Sequence, residues 1–202
     1  MVGKIELSMP PWLRTFLATQ IPRDFSTPES RMEFAIALSE ENVKQKTGGP
    51  FGAAIFTLDT HELVSCGVNR VEPESLAIAH AEIIAISLAE RHLGRFDLGR
   101  SDMELVTSSQ PCLMCCGATI WAGVRSILIG ARREDVESLA GFDEGPLPAN
   151  WEMEFSRRGI SVSVDILRER ACAVLEAYRK SGAGVYNSSA NLLRPGIFRS
   201  AR

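Results

Sequence analysis

Strand-patterned and helix-patterned segments alternate along this chain of 202 residues. The alternation predicts an α/β sandwich with a hairpin at its start and parallel strands later. Two apolar runs, Phe51 to Leu58 and Leu63 to Val68, are joined by a short polar turn at Asp59-Thr60-His61, the mark of a β-hairpin. Later apolar runs are separated by helix-length segments, as parallel strands require. A balance of 45% hydrophobic and 23% charged residues is that of a soluble globular domain, long enough to bury a core without disulfide staples.

Residues 1–27 read as an N-terminal extension, because Met9-Pro10-Pro11-Trp12 and Ile21-Pro22 interrupt any regular pattern. Within it, Trp12, Leu13, Phe16 and Leu17 fit a short amphipathic helix packed onto the core. Thr27-Pro28-Glu29 supplies a capping hydroxyl, a proline at the first helical position and an early acid. Met32, Ala35, Ile36, Ser39 and Val43 then recur at helical spacing, and the helix should end near Lys46, before Gly48-Gly49-Pro50. The hairpin follows, and the chain loosens after Pro73. Ala79 to Leu93 reads as a helix, Met103 to Ser108 as a strand, Pro111 to Ala122 as a second helix and Val124 to Gly130 as a buried strand. A polar helix from Glu134 to Leu139, a Gly/Pro-rich loop, a strand near Ile160 to Val164 and a helix over Ile166 to Arg179 complete a domain spanning residues 28–186. The tail 187–202 carries Arg194, Arg199 and Arg202 with no acid. It reads as a mobile end or as an arm packed elsewhere.

The formal net charge is −3 and the sequence pI about 5.7, a balance that argues against nucleic acid as a partner. No apolar run approaches the roughly 18 residues of a membrane span. The opening MVGKIELSMPPW lacks the apolar core of a secretory signal, so the expected location is the cytoplasm. There are five cysteines, and Cys112, Cys115 and Cys116 crowd together too closely for a disulfide framework. In a reducing compartment such a cluster points to metal binding or catalysis.

The chemistry concentrates in His80-Ala81-Glu82 and Pro111-Cys112-Leu113-Met114-Cys115. Cys112 and Cys115 lie three apart at an expected helix start, with Pro111 suited to the first helical position. That spacing puts both sulfurs on one side, where the helix N-terminus favours thiolate. His80 and Glu82 open the other helix, so two helix N-termini would converge on one metal. Three nitrogen and sulfur ligands leave the fourth zinc position to water, whose pKa the metal lowers to roughly 7. Glu82 is positioned to sit beside that water without being a ligand, and to move protons. The pattern His-x-Glu with Pro-Cys-x-x-Cys matches that of zinc-dependent deaminases. The competing reading is a closed structural zinc site or a redox pair. A closed site needs a fourth ligand from Cys116, Cys66, Cys172, His61 or His92. Cys116 points about 100° round the helix from Cys115 and reads as a small buried residue. Cys66 and Cys172 read as core, His61 as an exposed turn residue, and His92 as too far down its helix from His80.

From about Glu29 to Tyr186 the chain resembles the cytidine-deaminase-like superfamily, and within it the guanine deaminase branch. The stretches that carry the likeness are Gly48-Gly49-Pro50-Phe51-Gly52-Ala53, Gly67-Val68-Asn69-Arg70, the His80 and Cys112 motifs, and Gly141-Phe142-Asp143-Glu144. The resemblance implies a three-layer α/β/α domain around a five-stranded mixed sheet, one zinc ion per chain, a homodimer and a small nucleobase as substrate. It also implies pocket roles. Phe51 would pack on the purine, Asn69 would hydrogen-bond the base, the N–H of Ala81 would touch its edge, and Trp121 would line the pocket. Asp143 or Glu144 would face the donor edge of guanine, and Tyr186 would close the site, on its own or the partner chain. The branch often carries two aspartates where this chain has Asp143-Glu144, so both stay candidates. Read without the resemblance, Phe51 is core, Asn69 closes the hairpin and Asp143-Glu144 is a solvated turn.

The function expected is hydrolytic deamination of a free base, guanine to xanthine plus ammonia in purine catabolism, with amino-triazines of similar shape compatible with the same pocket. A tRNA adenosine deaminase or a cytosine or cytidine deaminase shares the metal motifs. A zinc-stabilised scaffold with a dead site would lack the carboxylate, and Glu82 is present.

Overall fold

A computed structural model describes residues 3, 5–20 and 23–186. The arginine tail, 187–202, and Ile21-Pro22 lie outside the described residues. Helix α1 spans Trp12–Gln20 and α2 spans Pro28–Lys44, followed by strands β1, Gly52–Thr57, and β2, Leu63–Val68. The short α3, Val71–Glu74, leads to α4, Ala81–Leu93, and a 3-10 turn at Leu98–Ser101. Then come β3, Met103–Ser109, α5, Leu113–Ala122, and β4, Ser126–Ala131. A helix α6, Arg133–Asp135, continues as a π turn through Val136–Ala140, and α7, Trp151–Ser156, β5, Ser161–Ser163, and α8, Arg168–Lys180, end the domain.

The five strands form one mixed sheet in the order β2-β1-β3-β4-β5. β1 pairs antiparallel with β2 and with β3, whereas β3–β4 and β4–β5 are parallel. Alternation along each strand divides the core. Ala54, Phe56, Val106 and Leu128 face α2 and α8, while Ala53, Ile55, Leu105, Ile127 and Ile129 face α4 and α5. The period-2 pleat thereby produces three layers, α/β/α, as expected. Helix α1 buries Leu13 and lays Trp12, Phe16 and Leu17 against the α2 side, so this helix of the N-terminal extension is part of the packed body.

Thr27 caps α2 as its sequence suggests, its hydroxyl accepting the N–H of Ser30 at 3.1 Å. Other boundaries move. Cys112, not Pro111, is the N-cap of α5, so the proline lies outside the helix and shapes the approach to it. Likewise Ala79 and His80 are not helical, and His80 is the N-cap of α4. Within the Gly/Pro-rich loop, α7 forms because Phe155 is buried and stacks edge-on with Trp151, a contact that short-range patterning does not reveal.

One buried ion pair ties α2 to the sheet. Arg31 Nε donates to Glu104 Oε2 at 2.7 Å, and both side chains are 4% exposed. Arg31 Nη1 donates to the carbonyls of Phe25 and Ser26, and Ser126 Oγ donates to the other Glu104 oxygen at 2.9 Å. Both Glu104 oxygens and two of the three Arg31 nitrogens are therefore partnered. Arg31→Leu leaves Glu104 buried without its cation and should cost about 3–5 kcal/mol of unfolding free energy, read by chemical denaturation. A cost below about 1 kcal/mol would show that the pair does not hold the layers together.

Candidate active site

β2 lies against the first turn of α4, where Gly67 lets the two backbones meet: a Cβ at that position would stand 2.4 Å from the Ala81 carbonyl oxygen. That close approach seats the N-terminus of α4 beside the end of β3. The chain leaves β3 at Ser109, and Cys112 and Cys115 arrive there as the N-cap and third residue of α5. Neither His80 nor Cys112 uses its side chain to cap its helix. Both are free for another role, and the first-turn N–H groups of both helices face the same place.

His80 Nδ1 lies 3.7 Å from Cys112 Sγ and 3.5 Å from Cys115 Sγ. Zinc–sulfur and zinc–nitrogen bonds meeting at the tetrahedral angle place such atoms about 3.5–3.6 Å apart, so the three side chains fit a zinc ion without rearrangement. Among the described residues no other His, Cys, Asp or Glu joins this group. Cys66 is buried in β2. Cys116 is also buried, its thiol turned to the Pro111 carbonyl at 3.4 Å. Cys172 is half-buried on α8, and His92 is exposed; His61, expected exposed, is half-buried at the hairpin turn.

Electrostatically the cluster is tense. The Cys112 thiol is brought down to about 4, first by a hydrogen bond from Cys115 and then by His80, whereas Cys115, the donor in that bond and buried, goes up. One proton thus serves two sulfurs. At His80 burial lowers the pKa, but the Cys112 hydrogen bond and the charges of Glu82 and Cys112 outweigh it and the net direction is up. Burial raises Glu82, and burial followed by the charges of Cys112 and Glu82 pushes Glu144 up to about 8. Several acids crowd one imidazole, an arrangement that a bound dication would relieve.

Glu82 is 6% exposed and stands beside the cluster without joining it. Its Oε2 lies 3.5 Å from the Cys115 sulfur. Its Oε1 lies 3.4 Å from the Thr107 hydroxyl, whose one proton is better used on the Ser109 carbonyl at 2.9 Å. That leaves a carboxylate oxygen for a bound molecule. The site opens into a cavity of about 330 Å³, the size of small-molecule pockets.

Of the residues expected to line that cavity, Phe51, Asn69, Asp143, Glu144 and Tyr186 do so. Phe51 packs edge-on to Phe142 at 5.2 Å, and Phe142 in turn meets Tyr186 at 4.8 Å, so an aromatic wall runs from β1 to the described C-terminal segment. Tyr186 comes from the same chain, and its hydroxyl is buried with no partner among the described residues. The two acids separate. Asp143 Oδ1 accepts the N–H of Gly145 at 2.9 Å and closes its own turn, whereas the Glu144 carboxyl has no hydrogen-bond partner among the described residues. Ala81 is buried at the first position of α4, with its N–H outside the helical ladder.

Trp121 is not in this cavity. It is 86% exposed and lies instead in a separate groove with Ile83, Ile86 and Phe96. Six residues beyond Cys115 on α5, it points about 120° away from the metal-facing side. Among the cavity and site residues that the motifs do not single out are Gln110, on the link from β3 to α5, Thr107, in mid-strand, and Phe142, within the Gly-Phe-Asp-Glu stretch. Position after β3 and before Pro-Cys-x-x-Cys was the available cue for Gln110.

The model of the cytidine and deoxycytidylate deaminase zinc-binding region matches residues 26–131. The solved guanine deaminase from Nitrosomonas europaea is 44% identical, with a TM-score of 0.82 over 89% of this chain and 98% of its own. The guanine deaminase of Bacillus subtilis is 37% identical over 116 residues, 57% of this chain and 71% of that protein. A tRNA-specific adenosine deaminase from Buchnera aphidicola is more distant, at 26% identity over 65% of this chain and 81% of its own. On these grounds and on its fold, the chain belongs to the cytidine and deoxycytidylate deaminase zinc-binding family, hydrolases acting on carbon–nitrogen bonds, with guanine deaminases among its relatives.

Proposed function

We propose that the protein deaminates free guanine to xanthine and ammonia, with one zinc ion held by His80, Cys112 and Cys115 and a water in the fourth position. The observation that carries this reading is Glu82, a carboxylate adjacent to a three-ligand metal group yet outside it, at the floor of a cavity sized for a small molecule. When bound, zinc supplies Lewis acidity that lowers the pKa of a water to about 7.

The chain's own residues do the rest. Glu82 takes a proton from the attacking water and delivers it to N3 as the C2–O bond forms. It then carries a second proton to the departing amine as the C2–N bond breaks. Phe51 and Phe142 hold the ring plane. Asn69 serves the acceptor edge, O6 and N7, and the Ala81 N–H adds a contact. Glu144 meets the donor edge, N1–H and the 2-amino group, because Asp143 is already committed to its turn. Tyr186 covers the mouth and limits access to small substrates, which favours a free base over a base within a polynucleotide.

The same reading expects a homodimer in the cytoplasm, acting in purine catabolism. No helix among the described residues is long and apolar enough to cross a membrane. The exposed Trp121 and Phe96, on the far side of α4 and α5 from the sheet, offer an apolar face for a second copy.

Ammonia release from zinc-loaded protein, measured with guanine, adenine, cytosine, cytidine and tRNA, should be found with guanine and yield xanthine. Release from cytosine, cytidine or tRNA but not guanine would overturn the substrate assigned. Glu82→Gln should keep its zinc and lose about 10²–10⁴-fold in kcat, measured with metal content on the same sample. Survival of turnover would remove Glu82 from proton transfer. Glu144→Gln should lower kcat/KM for guanine by about 10–100-fold, whereas Asp143→Asn, which keeps an acceptor for Gly145, should stay within about threefold. The reverse ranking would exchange their roles.

A further inference from the structure

We propose that Asn42 is a positioning residue for base recognition, set by Thr47 and Trp12, and that it fixes the cavity wall carrying Asn69. This rests on the guanine reading, since Asn69 is the side chain assigned there to the acceptor edge of the base.

Asn42 sits in the last turn of α2, fully buried and outside the cavity lining. Its amide is completely used. Nδ2 donates to the carbonyls of Gly49 at 2.9 Å and Asn69 at 3.0 Å, and Oδ1 accepts the Thr47 hydroxyl at 2.8 Å. The orientation is determined chemically. The indole of Trp12 is a donor only, and it gives its Nε1–H to Thr47 Oγ1 at 2.8 Å. Because the Gly49 and Asn69 carbonyls can only accept, the atom facing them must be the NH₂, which leaves Oδ1 facing Thr47 and accepting its hydroxyl proton.

What those carbonyls belong to gives the brace its meaning. Gly49 O also accepts Phe51 N at 2.9 Å, and Phe51 O accepts Asn69 N at 3.1 Å. Asn69 Oδ1 accepts the N–H groups of Gly49 at 3.4 Å and Val71 at 3.2 Å, so its Nδ2 is the polar atom left for a bound base. Arg70 closes the arrangement from outside, donating to the carbonyls of Thr47 and Ser8 and pairing with Glu74. Gly49 has a further neighbour: a Cβ there would stand 1.8 Å from the Tyr186 hydroxyl. One buried amide thus holds the backbone on which the ring-packing Phe51, the hydrogen-bonding Asn69 and the covering Tyr186 all depend. The metal ligands and Glu82 hang from α4 and α5, on the opposite face of the sheet, and none of them bonds to the Asn42 amide. Asn42 therefore acts on binding of the base and leaves the chemical step alone. The N-terminal extension acquires a role through Trp12.

The test is steady-state kinetics of zinc-loaded enzyme, with zinc content and thermal midpoint recorded on each variant. The substrate is guanine, or whichever of guanine, adenine and cytosine the wild type deaminates, so that a wrong choice of base is seen in the wild type and kept apart from the fate of this proposal. Asn42→Ala should raise KM by about tenfold with kcat within about threefold and zinc retained, as expected for loss of binding common to substrate and transition state. Thr47→Val should raise KM by about 3–10-fold, while Thr47→Ser, which keeps the hydroxyl, should restore the wild-type value. Should Asn42→Ala fail to fold, the Val and Ser pair at Thr47 decides. Unchanged KM in Thr47→Val, whatever happens to the thermal midpoint, would overturn the proposal, as would a Thr47→Ser variant no better than Thr47→Val.

Discussion

Two helix N-termini meet at the end of β3, and the site depends on that convergence. α4 presents His80 and Glu82 in its first turn, and α5 presents Cys112 and Cys115 in its own. Each helix brings unpaired N–H groups and a partial positive charge, the equivalent of roughly half an elementary charge. That field favours thiolates and a carboxylate in a place where burial disfavours them. It is not sufficient alone, since burial still raises Glu82 and pushes Glu144 up to about 8. A cation held by His80 and the two sulfurs would complete the balance, and the His80–Cys distances match a tetrahedral zinc site.

The sheet makes the convergence reproducible. Parallel pairing of β3 with β4 requires a crossover, which α5 supplies, and its first turn is where that crossover begins. Antiparallel pairing of β1 with both neighbours puts β2 at the edge, and Gly67 lets α4 press onto it. The two faces of the sheet then carry separate duties. The α4–α5 face holds the reactive groups. The α2 face, with its Arg31–Glu104 pair and the Asn42 amide, holds the cavity wall of Phe51 and Asn69.

Much of this was legible in the sequence. The hairpin, α2 and the His80 and Cys112 motifs follow from period, capping and ligand spacing, which are local properties. The grouping of His80, Cys112 and Cys115 was legible for the same reason. What escaped depends on long-range packing. Trp121 resembles a pocket residue by its motif but faces outward, because helical rotation places it about 120° from Cys115. α7 forms around Phe155 once the α4–α5 side of the core exists to receive it. One hydrogen bond to Gly145 distinguishes Asp143 from Glu144, and Asn42 lies 27 residues from the Asn69 carbonyl it holds. No spacing rule reaches across those distances.

The central claim is an open zinc site made by three side chains at two helix ends. X-ray absorption at the zinc edge, on protein whose metal content has been counted, tests it most directly. The account predicts one zinc per chain with two sulfur scatterers at about 2.3 Å and nitrogen and oxygen scatterers at about 2.0–2.2 Å. Three or four sulfur scatterers, or protein that binds no zinc with His80, Cys112 and Cys115 intact, would contradict it.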